Sequence, residues 1–284
     1  MDSQPTASEQ ATLWNGRAGR AWVDAQELLD QILKPFEDVL LEAIAASKAS
    51  RVLDIGCGTG ATTLAAARWL GGRGRCVGID ISEPMIALAR SRAGEEQVPV
   101  SFICADAQTH VFEPADFDTM ISRFGVMFFD EPVTAFANLR RAASPGAELA
   151  ALAWRSCAEN PFMTTAERAA APFLPSIPAR KQDGPGQFAF ADQRKVRGIL
   201  EDSGWREIGL QPIDVACSLP EKDLNHYLSR LGPLGLILQD ADEGMRARIT
   251  RVVRAAFDPF VQGEDVRFTA ACWMVRAHTP TRAE

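Results

Sequence analysis

The run Val52-Leu53-Asp54-Ile55-Gly56-Cys57-Gly58-Thr59-Gly60-Ala61 sets three glycines directly after a short apolar segment. Glycines in that place let the chain turn tightly and let a ligand come close to the backbone. In an open α/β fold such a turn lies at the carboxyl edge of the sheet, where nucleosides bind. Asp80 stands twenty positions after Gly60 and ends a second apolar segment, Cys76-Val77-Gly78-Ile79. A carboxylate at that strand end can accept hydrogen bonds from both ribose hydroxyls. Its other use would be to cap the helix that follows, and Ser82 is better placed for that.

Two ligand classes fit these features. Gly56-x-Gly58-x-x-Ala61 satisfies the dinucleotide fingerprint, which allows alanine in third place. Asp54 separates the two. It lies two residues before the first glycine, where a carboxylate is awkward beside a pyrophosphate. It suits a ligand with an ammonium group and a sulfonium centre, both of which attract negative charge. Its alternative role is that of a hydrogen-bonded turn residue, since buried carboxylates need such partners.

The surrounding pattern supplies the elements that must hold these residues. Up to about Ser50 the chain reads as helix, with Leu29, Ile32, Leu33, Phe36, Leu40 and Ile44 on one face. Pro35 is expected to divide it in two. From Arg51 short strands alternate with helices. Strands are expected at 52–55, 76–80, 100–104, 119–122 and 148–154, and helices at 59–70, after Ser82 with Pro84 in the first turn, and at 130–143. Pro145-Gly146 reads as a turn. Five prolines lie between Pro161 and Pro185, and a long irregular stretch of this kind is a lid or disordered. A helix at 192–203, a strand or strand pair at 205–217, two helices marked by Leu224 to Leu231 and by Ile249 to Phe260, and a last strand at 268–277 complete the chain. Alternation of this kind implies a Rossmann-like, mostly parallel sheet with helices on both faces. We expect a single domain over 1–284, with an N-terminal helical lid (1–50), a cofactor-binding core (51–154), a Pro-rich loop or lid (155–191), and C-terminal strands (192–284) carrying a helical insertion at 220–262.

Residues 52–60 resemble the first motif of the class I S-adenosylmethionine-dependent methyltransferases. Three further segments agree. Gly78 to Ser82 resembles the ribose-binding strand end, Cys104-Ala105-Asp106-Ala107-Gln108 the adenine-reading segment, and Ile121 to Phe129 the fourth strand end of bacterial small-molecule methyltransferases. Trp14-Asn15-Gly16 and Trp22 also look like that subgroup. The motifs cover about 51–154 and the likeness is looser beyond. Pro145-Gly146-Ala147 departs from the family, which often has a second glycine there. The resemblance implies that Gly56, Cys57 and Gly58 pass close to S-adenosylmethionine and that Asp54 helps hold its amino-acid end. It further implies that Asp80 takes the ribose, that Ile81 and Met85 lie against the adenine, that Asp106 and Ala107 read the adenine edge, and that Ser122 and Phe124 lie near the methionine portion.

Apolar residues make up 46% and charged residues 24% of the 284, enough to bury a sizeable core. The formal net charge of -7 argues against a nucleic-acid backbone as partner. We expect a small-molecule methyl acceptor, no membrane partner, and a monomer or homodimer. The six cysteines show no metal-ligand or redox spacing. They read as buried free thiols, as in Ser101-Phe102-Ile103-Cys104, and no metal is expected. The start lacks a signal-peptide pattern and no apolar run reaches a membrane span, so a cytoplasmic protein is expected.

Methyl transfer from a sulfonium needs alignment before all else, and a base only for some acceptors. Candidates for contact with the acceptor are Tyr227, the only tyrosine, and His226, although it points away from the apolar face of its helix. His110 reads as a loop residue and His278 as solvated near a frayed end. Trp14 and Trp22, the Pro-rich stretch and the helices from Leu224 to Phe260 are expected to roof a flat or greasy acceptor. Two other readings stay open: an NAD(P)-dependent oxidoreductase, and a non-catalytic S-adenosylmethionine-binding regulator. A protein acceptor is a further option.

Overall fold

A computed structural model describes residues 9–174 and 184–281. Helices α1 (Glu9–Asn15), α2 (Arg17–Asp24) and α3 (Gln26–Ser47) lead into strand β1 (Arg51–Ile55). There follow α4 (Ala61–Leu70), β2 (Arg75–Asp80), α5 (Glu83–Glu96), β3 (Ser101–Cys104), β4 (Phe117–Arg123), α6 (Pro132–Ala142) and β5 (Ala143–Trp154). The last part is α7 (Pro161–Ala170), α8 (Gln193–Asp202), β6 (Arg206–Pro220), α9 (Leu224–Arg230), α10 (Gly232–Asp240), α11 (Glu243–Ala256), β7 (Val261–Gln262) and β8 (Asp265–His278).

The sheet runs β3-β2-β1-β4-β5-β8-β6, with β7 paired to β8. The five strands from β1 to β5 are parallel, and β8 lies antiparallel to both β5 and β6. The order reverses between β1 and β4, so the crevice of an open α/β sheet opens at the ends of those two strands. Strands β1 and β4 bury nearly every residue, as a parallel sheet covered on both faces requires.

Several elements differ from the expectation. Pro35 does not divide the N-terminal helix: α3 runs through it for 22 residues. Phe36, Leu40 and Ile44 are fully buried on the far side of it. That burial outweighs the roughly 3 kcal/mol a proline costs inside a helix. Pro145-Gly146 is a jog within β5 rather than a separate turn, with a register shift opposite β4 and Gly146 at φ 75°. The insertion between β6 and β8 holds three α-helices, not two. Helix α10 begins with Gly232 and Pro233, residues that read as breakers; a proline in the first turn has no N–H to lose. The strand or strand pair expected at 205–217 is one strand, β6, which begins at Arg206. The Pro-rich stretch opens with helix α7, and its residues 175–183 lie outside the described residues.

Cys57, Cys76, Cys217 and Cys272 are buried free thiols, whereas Cys104 and Cys157 are exposed. Cys104 ends the edge strand β3, where alternate side chains face solvent. His278 sits within β8 opposite Glu148 and Arg206 rather than in a frayed tail, and its Nδ1 lies 3.6 Å from Glu207. No helix among the described residues is long and apolar enough to cross a membrane. None of their His, Cys, Asp and Glu side chains cluster in a way that could hold a metal ion.

Candidate functional site

The turn after β1 is held by backbone hydrogen bonds. The amides of Gly56 and Cys57 both donate to the Ile79 carbonyl, at 2.8 and 3.1 Å, and Gly58 N–H donates to Asp80 Oδ2 at 2.8 Å. Gly56 has φ 66°, and a Cβ there would stand 2.6 Å from Gly125 Cα. Glycine is required at both ends of that contact. The first three amides of the turn are therefore engaged within the protein and are not aimed at a phosphate.

Asp80 is poised between two amides. Oδ2 accepts from Gly58 and Oδ1 from Ser82, each at 2.8 Å. Burial raises its pKa, and the hydrogen bonds from Ser82, Gly58 and Ile81 oppose that rise. Each oxygen keeps a lone pair for a further donor, as a pair of ribose hydroxyls would demand. Ser82 holds the N-cap position of α5, but its hydroxyl does not cap; it donates to the Trp14 carbonyl at 2.7 Å. Asn15 takes over the capping. Its Oδ1 accepts from Glu83 N–H at 2.8 Å while its Nδ2 donates to the Ile81 carbonyl at 3.0 Å. The N-terminal helices are thus latched onto the strand end that carries Asp80.

One cavity of about 510 Å³ runs from this edge into the added helices. Gly56, Gly58, Asp80, Ile81, Met85, Asp106, Ala107 and Phe124 all line it, as do Trp14 and Trp22. Asp106 Oδ1 accepts from Gln108 N–H at 2.8 Å, and the Asp106 carbonyl takes the amides of Thr109 and His110. Among the described residues none of the hydrogen bonds in this loop uses Ala107 N–H, which leaves it for a ligand.

Three of the expected contact residues stand behind the cavity wall instead. Cys57 points into a small core with Leu64, Ile86, Ala89 and Phe102, and burial pushes its thiol well above the usual range. Its side chain has turned away because Gly56 and Gly58 turn the chain on either side of it. Ser122 is fully buried; its hydroxyl donates to the Ile55 carbonyl at 2.7 Å and accepts from Gly125 and Val126. It braces the β1 and β4 ends against each other. Asp54 is buried beneath the turn, accepting from Thr63 Oγ1 at 2.7 Å, with Oδ1 lacking a partner. Burial pushes its pKa up to about 6, partly offset by Thr63 and the charge of Arg123.

Phe124 takes a left-handed conformation at φ 67°. Stacking on Trp154 at 4.5 Å and an edge contact with Phe36 at 4.9 Å hold it there. On the other wall, Trp14 meets Trp22 and Phe128 edge-on at 5.9 and 5.1 Å. Phe162, Met163, Tyr227, Leu228 and Leu231 close the cavity from α7 and α9. The Tyr227 hydroxyl lies 3.9 Å from Met163 Sδ. His226 is exposed, and among the described residues no histidine lines the cavity. His110 is a loop residue packed edge-on against Phe112.

Sequence reasoning missed Arg123, Asn15, Trp154 and Phe162. Arg123, the charge that ends strand β4 as Asp118 marks its start, carried a visible signal. Asn15 lies in the Trp14-Asn15-Gly16 motif, but that motif does not show its capping role, because the helix it caps begins 68 positions later.

Residues 52–146 match the family described as methyltransferase domain. This segment is a class I S-adenosylmethionine-dependent methyltransferase core. An uncharacterised protein of Mycobacterium tuberculosis is 26% identical over 198 residues, which is 70% of this chain and 69% of that one. The demethylmenaquinone methyltransferase of Renibacterium salmoninarum is 25% identical over 62% of this chain and 75% of its own length. A solved structure of Haemonchus contortus phosphoethanolamine N-methyltransferase 2 shares the fold, with TM-score 0.58 and 16% identity over 98% of this chain and 62% of that one. S-adenosylmethionine is the cofactor of the methyltransferase core, and the residues fit it: the doubly held Asp80, the unused Ala107 amide and the glycine turn all face one cavity. The turn does not fit a dinucleotide, because its amides are occupied and Asp54 places negative charge beneath the position of a pyrophosphate.

Proposed function

We propose that the methyl group goes to a small, flat and largely apolar acceptor held under the N-terminal and C-terminal helices. The observation that carries this reading is the continuity of the cavity: one wall is the strand edge with Gly56, Asp80 and Asp106, the other is Trp14, Phe162, Leu228 and Leu231. Its volume, about 510 Å³, falls within the range of small-molecule sites. A relative named for demethylmenaquinone favours an acceptor of that size over a macromolecule. We take the chain as a single domain whose segments 1–50, 155–191 and 220–262 serve the acceptor, and place it in the cytoplasm.

When bound, the cofactor supplies an electrophilic methyl on a sulfonium that departs as a neutral thioether. The chain's residues contribute alignment. Asp80 and Asp106 hold the nucleoside end. Phe124, locked by Trp154, Phe36 and the Ser122 brace, fixes the wall beside the reacting centre. The aromatic helices exclude water and orient the acceptor, and orientation alone is worth several kcal/mol. Tyr227 and Glu167 bring ionisable groups to the acceptor wall and are the residues placed to take a proton from a hydroxyl acceptor.

Incubation with methyl-labelled S-adenosylmethionine and a panel of acceptors graded from polar to apolar tests the proposal. Labelling of flat apolar members alone supports it. Labelling of protein or RNA, with none of the small molecules labelled, would contradict it.

A further inference from the structure

The loop at 105–110 leaves Ala107 N–H for a ligand, and the bonds that hold the loop converge on a residue outside the cavity. Asn138 lies on α6, is 6% exposed, and is absent from the cavity lining. Its Nδ2 donates to the carbonyls of Ala107 and His110, each at 2.9 Å. Its Oδ1 accepts from Arg141 Nη2, one turn further along α6, at 2.7 Å. These partners fix which way the amide points. Reversed, it would set an oxygen against two carbonyls and an NH2 against a guanidinium.

Both peptide groups of Ala107 are pinned as a result. The Asp106 carbonyl shares a peptide with Ala107 N–H, and it takes the amides of Thr109 and His110. In the next peptide the Ala107 carbonyl is held by Asn138, and Gln108 N–H by Asp106 Oδ1. Gln108 Oε1 in turn accepts at 2.8 Å from the N–H of Glu131, the N-cap of α6. Helix α6 therefore grips the loop at two points, Gln108 and Asn138. The neighbours of Asn138 on the buried side of α6 are Ala135, Phe136, Leu139 and Ala142. An apolar residue would serve packing there, and an amide is costly unless bonded. The amide is spent on the loop.

We propose that Asn138 is a positioning residue for the base. Acting through the Ala107 carbonyl, it keeps Ala107 N–H and the Asp106 carboxylate aimed in one direction, and so sets the preference for adenine over other purines. This rests on the S-adenosylmethionine reading of the site. Adenine offers a ring nitrogen that accepts and an amino group that donates, the complement of an N–H beside a carboxylate. Hypoxanthine offers the reverse at both places. Rejection of the wrong base depends on donor and acceptor being held rigidly, because a loop free to turn could satisfy either pattern.

Titration calorimetry on the full-length protein with S-adenosylhomocysteine and S-inosylhomocysteine tests this, since the two ligands differ only at that base edge. The wild type is expected to prefer the first by roughly 100-fold or more. Asn138→Leu should cut the preference about tenfold, by weakening the adenine ligand while the hypoxanthine ligand stays within about threefold. Arg141→Ala removes an exposed side chain that orients the amide but leaves both carbonyl bonds available. It should cut the preference about threefold, and it serves as the test if the Leu variant does not fold. A residue that only supports the fold would weaken both ligands alike and leave their ratio as in the wild type. An unchanged ratio, or a wild type without preference, would overturn the role of Asn138 while leaving the cofactor reading in place. Failure of the wild-type protein to bind S-adenosylhomocysteine would overturn the cofactor reading, and this proposal with it.

Discussion

The strand edge and the helical roof enclose one cavity, yet they are built by opposite means. At the strand edge nearly every position is fixed by backbone. Gly56, Cys57 and Gly58 are tied to β2 through three amides, and Ser122 ties β1 to β4. In the roof, contacts are between side chains. Trp14, Trp22 and Phe128 meet edge-on, Phe162 stacks on Phe268 at 3.8 Å, and α2 reaches α10 through the exposed pair Arg17–Asp240. A backbone-held site tolerates little change and serves one ligand. A side-chain-built wall can be altered residue by residue and can serve different acceptors on the same core.

The contrast is sharpest at two glycines of like conformation. Gly56 and Gly232 have φ of 66° and 70°, but a Cβ would strike Gly125 at the first and meet nothing within 4 Å at the second. Gly56→Ala is expected to cost about 4 kcal/mol, combining strain with overpacking, and to abolish cofactor binding. Gly232→Ala should cost only about 1 kcal/mol, the left-handed conformation alone. Denaturant unfolding of both variants measures the difference, and similar losses would erase the distinction drawn between the two walls.

Asp54 sharpens the comparison from the side of charge. Its folded pKa, about 6, lies above its ordinary value. The native state therefore holds this proton more tightly than the unfolded chain, and stability from this group falls as pH rises between about 4 and 6. The full cost at pH 8 is at most about 3 kcal/mol. Asp54→Asn should be more stable than the wild type by a good part of that amount at pH 8, with the gain vanishing below about pH 4, while binding S-adenosylhomocysteine less tightly. Melting curves at the two pH values check the sign. Equal stability at both, or a loss confined to high pH, would mean that the carboxylate is not held at a cost for the ligand.

Roof substitutions should act on the acceptor alone. Leu231→Asn is expected to raise the acceptor KM about tenfold, near 1.4 kcal/mol, with the affinity for S-adenosylhomocysteine within twofold. The Asn15 latch joins the two walls, so Asn15→Ala should lower stability by about 1 kcal/mol, as for other capping residues, and weaken cofactor and acceptor together. His226→Ala, at an exposed position off the cavity, should change neither constant by more than about twofold, and a larger effect in steady-state kinetics would return that residue to the site.

The same division explains what could be read from the sequence. The strand-edge residues carry their own local signal: glycines after an apolar run, a carboxylate at the next strand end, and an Asp-Ala pair after the third. Each is a short-range pattern, and Asp80, Asp106, Met85 and Phe124 all line the cavity. What escaped depends on long-range packing. Helix α3 continues through Pro35 because its buried face spans the whole length, which a local rule for proline does not weigh. Helix α10 hides behind two glycines and a proline. The Asn15 cap joins positions far apart in sequence. Cys57 and Ser122 lie within the motifs, but whether a residue touches the ligand or braces the one that does depends on which side of the turn its side chain leaves. Arg123 lies among aromatic and small residues, and a lone charge at a strand end does not by itself tell which wall it faces.

Calorimetric titration of the wild-type protein and Asp80→Ala with S-adenosylhomocysteine, with NAD alongside, tests the central claim most directly. Asp80 is aimed by two backbone amides and offers two charged acceptors to a ribose. The wild type is expected to bind S-adenosylhomocysteine and not NAD, and Asp80→Ala to weaken that binding by roughly 100-fold or more. Binding of NAD in preference to S-adenosylhomocysteine, or binding of the latter that is indifferent to Asp80, would contradict the account.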